Sequence, residues 1–376
     1  MCAVSSLTID AAGELIAIVP DESVDDATWS VLSGSFANLV TTRNATARIV
    51  VSMSSERSVP LDGGFARGAS AAQLTRSVTD VVGSVVLAAH VPDTSAGRAE
   101  TLPDRVGIRA SALSTAEGAV VLFGGPSRHA AITAMGGAAA LVGSDVVLID
   151  RRDRSVTGVA GLVNVGGTTL ESSSWVSPET AGVGVTTDAV QLRALVFLDP
   201  VPDGESTWYP ISTPEAVAMA AGSVPSLSAV KRPLVALTEV FDMASGAVVV
   251  RYRTPEDVPG LLADVLDQPA ERTWAQPADT RAVEAARTPE LGDVRRAAML
   301  DAITDGTHMA FCTSQYAIVA AGGIAPMLWD AAADWIGLDD LTAGLVAAMG
   351  QPDGDAREFV SASVDALVDQ GVLVRV

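Results

Sequence analysis

His308-Met-Ala-Phe-Cys-Thr313 and Gln315-Tyr-Ala-Ile-Val-Ala320 open the last stretch of the chain, residues 307–376. Both segments are short and rich in residues that suit a pleated, half-buried surface. Only Ser314, or slightly more, lies between them, which predicts a tight hairpin. Gly322 and Gly323 end the second strand. Over 326–337, Met327, Leu328, Ala331, Ala332 and Trp335 recur at helical spacing. A second short helix carries Leu341, Leu345, Val346 and Met349, with Asp340 and Thr342 at its start and Gly350 closing it. Residues 355–370 place Phe359, Val360, Ser363, Val364, Leu367 and Val368 along one stripe, which predicts a third, amphipathic helix. Gly371 stops it, and Val372-Leu-Val-Arg-Val376 leaves as a strand. Hairpin, three helices and a closing strand make a compact winged-helix-like α+β pattern.

The 376 residues suffice for two or three domains, and 48% hydrophobic content with a mean hydropathy of +0.34 supplies ample core. The expected division is a small α/β unit over 1–104, a larger α/β unit over 105–268, a linker with a lead-in helix over 269–304, and the C-terminal unit over 305–376. No uninterrupted apolar run reaches the roughly 18 residues that a membrane span needs, so no membrane partner is expected. The N-terminus has no basic region followed by an apolar core, so the expected location is cytoplasmic.

Net charge is −21. Nucleic-acid binders use basic surfaces to displace counterions. From residue 307 onward only His308, Arg357 and Arg375 oppose Asp330, Asp334, Asp339, Asp340, Asp353, Asp355, Glu358, Asp365 and Asp369. A winged helix of that sign repels a phosphate backbone. This counts against a transcription regulator and against any nucleic-acid partner, and it leaves peptide binding standing. Cys2 and Cys312 give no disulfide framework. His90, His129 and His308 lack ligand-like neighbours, so neither a metal nor another cofactor is expected.

Upstream, strands are predicted at 14–19, 47–52 and 84–89. Helices are predicted after Asp25 or Asp26 (Trp29, Val31, Leu32, Phe36, Leu39) and over 72–82, with a loop at 63–71 between them. The segment 106–113 reads as one strand. Ala119-Val-Val-Leu-Phe123 is an apolar strand followed by Gly124, Gly125, Pro126 and Ser127, then a helix over 128–141, then a strand over 145–150. Strand, glycine turn and helix is how a phosphate-binding loop begins. Helices are read over 214–224 and 227–243, a strand over 247–252, and a lead-in helix over 291–303.

The segment 105–268 resembles the HPr kinase family, whose loop has the form G-P-S-G-x-G-K-S-T. Gly125, Pro126 and Ser127 match its start. Arg128 and Ala130 stand where that loop has glycines, Ala131 at its lysine, and Ile132 at the hydroxyl residue that holds magnesium; Thr133 matches the last position. Asp145 alone remains of the acidic pair that follows, and Leu192-Arg-Ala-Leu-Val-Phe-Leu-Asp199 resembles a later strand of that fold. Phosphoryl transfer needs the lysine to neutralise phosphate charge and the hydroxyl to position Mg²⁺. Lys231 is the chain's only lysine. The resemblance therefore implies a degenerate P-loop-type α/β scaffold. A divergent phosphotransferase acting on a peptide is the enzymatic alternative. A hydrolase triad of Ser127, His129 and Asp145 or Asp150 lacks the G-x-S-x-G elbow.

The C-terminal unit resembles the PqqD-like family through its order of elements, the run Ala325-Pro-Met-Leu-Trp-Asp-Ala-Ala-Ala-Asp-Trp-Ile336 and the ending after Val364. Together the two parts resemble recognition proteins of ribosomal peptide natural-product clusters, the daptide type among them. The resemblance implies a non-catalytic protein that binds the leader segment of a ribosomal precursor peptide. It would present that peptide to modifying enzymes such as an oxidoreductase, with the larger scaffold docking such an enzyme or a second copy as a homodimer. The implied groove lies between Ala320, Gly322, Ile324 and Met327 on one side and Asp355, Glu358, Phe359, Val360, Ser363, Val364 and Leu367 on the other.

Overall fold

The computed structural model describes residues 6–53, 65–67, 70–95, 97–125, 127–166, 174–268, 275–280 and 288–376. Cys2, Pro126, Gly63, Gly64 and Gly68 of the expected loop, and most of the expected linker, lie outside those residues. The architecture is mixed α/β throughout.

The N-terminal unit is a four-stranded sheet in the order β1 (Leu7–Ala11), β2 (Glu14–Pro20), β3 (Ala47–Ser52), β4 (Phe65–Arg67). β1 and β2 form an antiparallel hairpin, and β2, β3 and β4 run parallel. Helix α1 (Asp26–Ser35) is capped by Asp25, whose carboxylate accepts from Thr28 N at 2.7 Å. Helix α2 (Ala71–Ala89) overturns one expectation: residues 84–89 are its last turns and not a strand. Val78, Val82 and Val86 are fully buried at four-residue spacing, so tertiary burial of one face outweighs the β-preference of the valines. Gly83 lets α2 approach the next unit, since a Cβ there would sit 2.9 Å from a Val146 methyl.

The central unit is a ten-stranded sheet built from β5 (Arg105–Ile108), β6 (Ser111–Thr115), β7 (Gly118–Phe123), β8 (Ala140–Gly143), β9 (Val147–Asp150), β10 (Ser155–Gly158), β13 (Gly184–Val185), β14 (Val190–Pro200), β15 (Thr207–Pro210) and β16 (Ala247–Tyr252). A separate ribbon pairs β11 (Val163–Asn164) with β12 (Trp175–Val176). β7 and β16 flank β14 in parallel. The residues read as one strand over 106–113 fall into β5 and β6. Side chains alternate between two cores. Val121, Phe123, Leu195, Phe197 and Val249 face helices α4 (Thr213–Ala221) and α5 (Pro233–Phe241), while Val120, Leu122, Val196, Val248 and Val250 face α3 (Ser127–Met135) and α6 (Val258–Asp267). Helix α3 is shorter than expected: Gly136, at φ +49°, ends it, and Leu141 belongs to β8. The helix read over 227–243 is likewise divided. A 3-10 turn (Pro225–Ala229) comes first, and α5 starts afresh with Pro233 in its first turn.

The C-terminal unit has a four-stranded sheet in the order β17 (Gln276–Pro277), β19 (Met299–Thr304), β20 (Met309–Thr313), β21 (Ile318–Ala321). A ribbon pairs β18 (Val294–Arg296) with β22 (Leu373–Arg375), and the helices are α7 (Ala325–Ala331), α8 (Leu338–Met349) and α9 (Ala356–Asp369). The lead-in helix over 291–303 is overturned, because that segment forms β18 and β19. Met299 and Ala302 face the C-terminal helices while Leu300 and Ile303 face the central core, an alternation that the alanines disguised. The hairpin turn spans residues 314–317 and is longer than expected. It holds Tyr316 at φ +62° beneath the Arg98 guanidinium, 4.6 Å from the ring centroid. Helix α7 stops before Trp335.

This sheet is covered on both faces. Phe311, Val319 and Ala321 pack toward α7–α9, whereas Ala310, Cys312 and Ile318 join the core shared with α4 and α5. Burial pushes the Cys312 thiol up to about 11, so it stays protonated and acts as a small apolar side chain.

Candidate functional site

Two regions hold the residues singled out above. The first is the turn after β7. Gly124 has φ +140°, and a Cβ there would come within 3.2 Å of the Leu198 Cβ, so glycine is required by the neighbouring strand β14. Arg128 does not face an open loop. One guanidinium nitrogen donates to Gly124 O at 2.8 Å and another to Asp145 Oδ1 at 2.5 Å. His129 Nε2 lies 3.3 Å from the same Asp145 oxygen, and its ring meets Trp175 edge-on at 5.0 Å. His129 thus meets Asp145 and Trp175, and no hydrogen bond to the Ser127 hydroxyl, which a triad would require, is among its contacts in the described residues. Lys231 is ion-paired with Glu100. Among the described residues no group of three or more His, Cys, Asp or Glu is placed to hold a metal.

Burial alone would raise the Asp145 pKa. The hydrogen bond and charge of His129, with the Arg128 guanidinium, more than reverse this and hold it at about 2, against 3.8 for a free aspartate. A depressed acid stabilises the fold above its unfolded pKa and loses that contribution as pH falls toward the folded value. Asp145 should therefore contribute about 2 kcal/mol above roughly pH 4, a contribution that falls away as pH drops through about 2. Urea titrations between these limits check this: Asp145→Asn should flatten the slope of stability against pH, and an unchanged slope would refute it.

The second region lies in the C-terminal unit. Ile324, Leu345, Val346, Met349, Phe359 and Val360 line a cleft of about 150 Å³ between the start of α7, the end of α8 and the start of α9. Phe359 and Met349 are 53% and 60% exposed, which makes them an open apolar rim. Of the predicted groove residues, Ile324, Phe359 and Val360 meet here. Val364 and Leu367 are buried in the core of the unit and Met327 packs half-buried against it, so none of these three presents an open surface. Asp355 caps α9 by accepting from Arg357 N at 2.8 Å and Glu358 N at 3.3 Å. Glu358 is exposed, and half-buried Ser363 donates to Phe359 O at 3.0 Å. Ala320 and Gly322 are exposed and lie on the opposite face of the sheet. Leu345, Val346 and Met349 read in sequence as an ordinary core stripe. Their role in the cleft depends on how α8 ends against α9, which the spacing of apolar residues does not encode.

Ile324 follows Ala321 of β21 by three residues. Among the described residues β21 pairs only with β20, so its other edge carries unpaired backbone groups. The chemistry on offer is backbone pairing plus an apolar pocket with an apolar rim.

No protein-family model matches this chain, and neither does any curated protein. No helix of the described residues is long and apolar enough to cross a membrane.

Proposed function

We propose that this chain is a non-catalytic recognition protein. Its C-terminal unit, a winged-helix-like domain of PqqD-like type, would capture the leader segment of a ribosomal precursor peptide and present it to a modifying enzyme. The observation that carries this reading is the edge of β21, unpaired among the described residues, followed three residues on by Ile324 in the cleft rimmed by Met349 and Phe359. An extended peptide added to such an edge gains main-chain hydrogen bonds, and pockets select alternate side chains. The acidic residues that neighbour the cleft-lining residues in sequence, Asp353, Asp355 and Glu358, favour a peptide over a nucleic acid.

The central unit enters this reading as a degenerate HPr-kinase-like scaffold. Support comes from the strand, glycine turn and helix of β7 and α3, flanked in parallel by β14 and β16. The loss of chemistry is supported by Arg128, whose charge is already matched by Asp145.

The test is a random-peptide phage library panned against the immobilised full-length chain. Selected peptides should bind Phe359→Ala about tenfold more weakly, as expected for a central aromatic contact, while thermal melting stays unchanged because Phe359 is half exposed. Peptides that bind wild type and Phe359→Ala equally would remove the cleft from the site.

A further inference from the structure

The edge of β21 lies between two walls that belong to different units. Val319 and Ala321 pack against the core of α7–α9, while Ile318 packs on the shared core of α4 and α5. By alternation Ala320 and Gly322 lie on the α4 side, and both are exposed. A Cβ on Gly322 would meet the His308 ring at 2.7 Å, which puts His308 on that side as well. Glu215 of α4 approaches it, with Oε1 3.8 Å from His308 Nε2. Met219, one turn further along α4, is 53% exposed. The floor on this side is small and open, and its wall carries one carboxylate and one flexible apolar side chain.

A strand added to β21 would send successive side chains to opposite faces. One set would enter the cleft at Ile324, Met349 and Phe359, and the other would face Glu215 and Met219. Resting on the peptide-recognition reading above, we propose that the bound segment is read by both units at once and alternates apolar with basic residues. The apolar residues fill the C-terminal cleft, and the basic ones face Glu215 on the central unit. Charge complementarity fixes the occupant. Glu215 is the carboxylate placed on the α4 side of the edge, while Arg357 and Arg375, the only arginines after residue 307, are ion-paired with Asp339 and Asp365.

The Glu215 carboxylate also caps α4: Oε2 accepts from Ser212 N at 3.1 Å and Ser212 Oγ at 2.7 Å. Glu215→Gln keeps an oxygen for that cap and removes the charge. Met219→Lys is the second variant; it adds a cation to the same wall at an exposed position.

The experiment titrates full-length protein with three fluorescent synthetic peptides. One alternates phenylalanine with lysine, one alternates phenylalanine with glutamate, and one scrambles the first. The alternating lysine peptide should bind at least about tenfold tighter than either control. Glu215→Gln should shrink the lysine-over-glutamate preference about threefold, and Met219→Lys should reduce it at least as much. Equal binding of the scrambled peptide would overturn the proposal, since a merely acidic surface does not read alternation. A preference unchanged in both variants would also overturn it, while leaving peptide recognition intact. If none of the three binds and the phage selection also yields nothing, the underlying reading falls with it.

Discussion

Trp329→Ala should lower the stability of the C-terminal unit by about 4 kcal/mol, the cost of emptying a large, fully buried aromatic site. Trp329 is 1% exposed and sits where α7 meets β20. Its ring is 4.8 Å from that of Phe311, and the Arg296 guanidinium lies 4.9 Å above it. Truncation would therefore remove the contact that joins helix to sheet and leave Arg296 over a void. Urea denaturation followed by circular dichroism measures this. A loss under about 1 kcal/mol would mean that the unit is held by something other than this cluster. The exposed Phe359, by contrast, should cost under about 0.5 kcal/mol on the same measurement when replaced by alanine.

The second large effect concerns the seam between the C-terminal sheet and the central unit. Asp301 of β19 is fully buried. It accepts from Val235 N at the start of α5 at 2.9 Å, from its neighbour Ala302 N at 3.0 Å, and from Arg232 at 3.1 Å. Burial raises its pKa above the usual 3.8, outweighing these donors. The native state thus holds the proton more tightly than the unfolded chain, and stability from this group is lost as pH rises through 3.8 toward the folded value. Two substitutions separate charge from hydrogen bonding. Asp301→Ala orphans the Val235 amide and the inner face of Arg232, and should cost about 3 kcal/mol. Asp301→Asn retains an acceptor and removes the buried charge, so it should cost under about 1 kcal/mol. If alanine and asparagine destabilise equally in chemical denaturation, the seam does not depend on these hydrogen bonds.

The C-terminal helices α8 and α9 and the strands β7, β14 and β16 were legible because each carries an unbroken period, closed by Gly350 or Gly371 or by an apolar run with clear limits. Two segments misled for opposite reasons. In α2, valines with strand preference continue a helical face whose burial against the N-terminal sheet decides the matter. In β19, alanine beside methionine and leucine imitates a helix, although the side chains serve two cores on opposite faces. The site was half legible. Phe359 and Ile324 stood out from composition and place in the pattern, but Val364 and Leu367 share the same stripe and differ only in burial. Glu215 and Met219 were beyond reach, because nothing local announces that α4, some hundred residues upstream of β21, lies against that strand.

Helices α4 and α5 serve as a common layer for two sheets, and this bears on inheritance. The C-terminal unit cannot travel as a cassette. Detached at the linker, it would turn Leu300, Ile303, Ala310, Cys312 and Ile318 toward water, along with a carboxylate stripped of its partners. A descendant that lost the central unit would have to rebuild that face in the same step. The central unit can thus be retained indefinitely, because the C-terminal unit would not survive its removal.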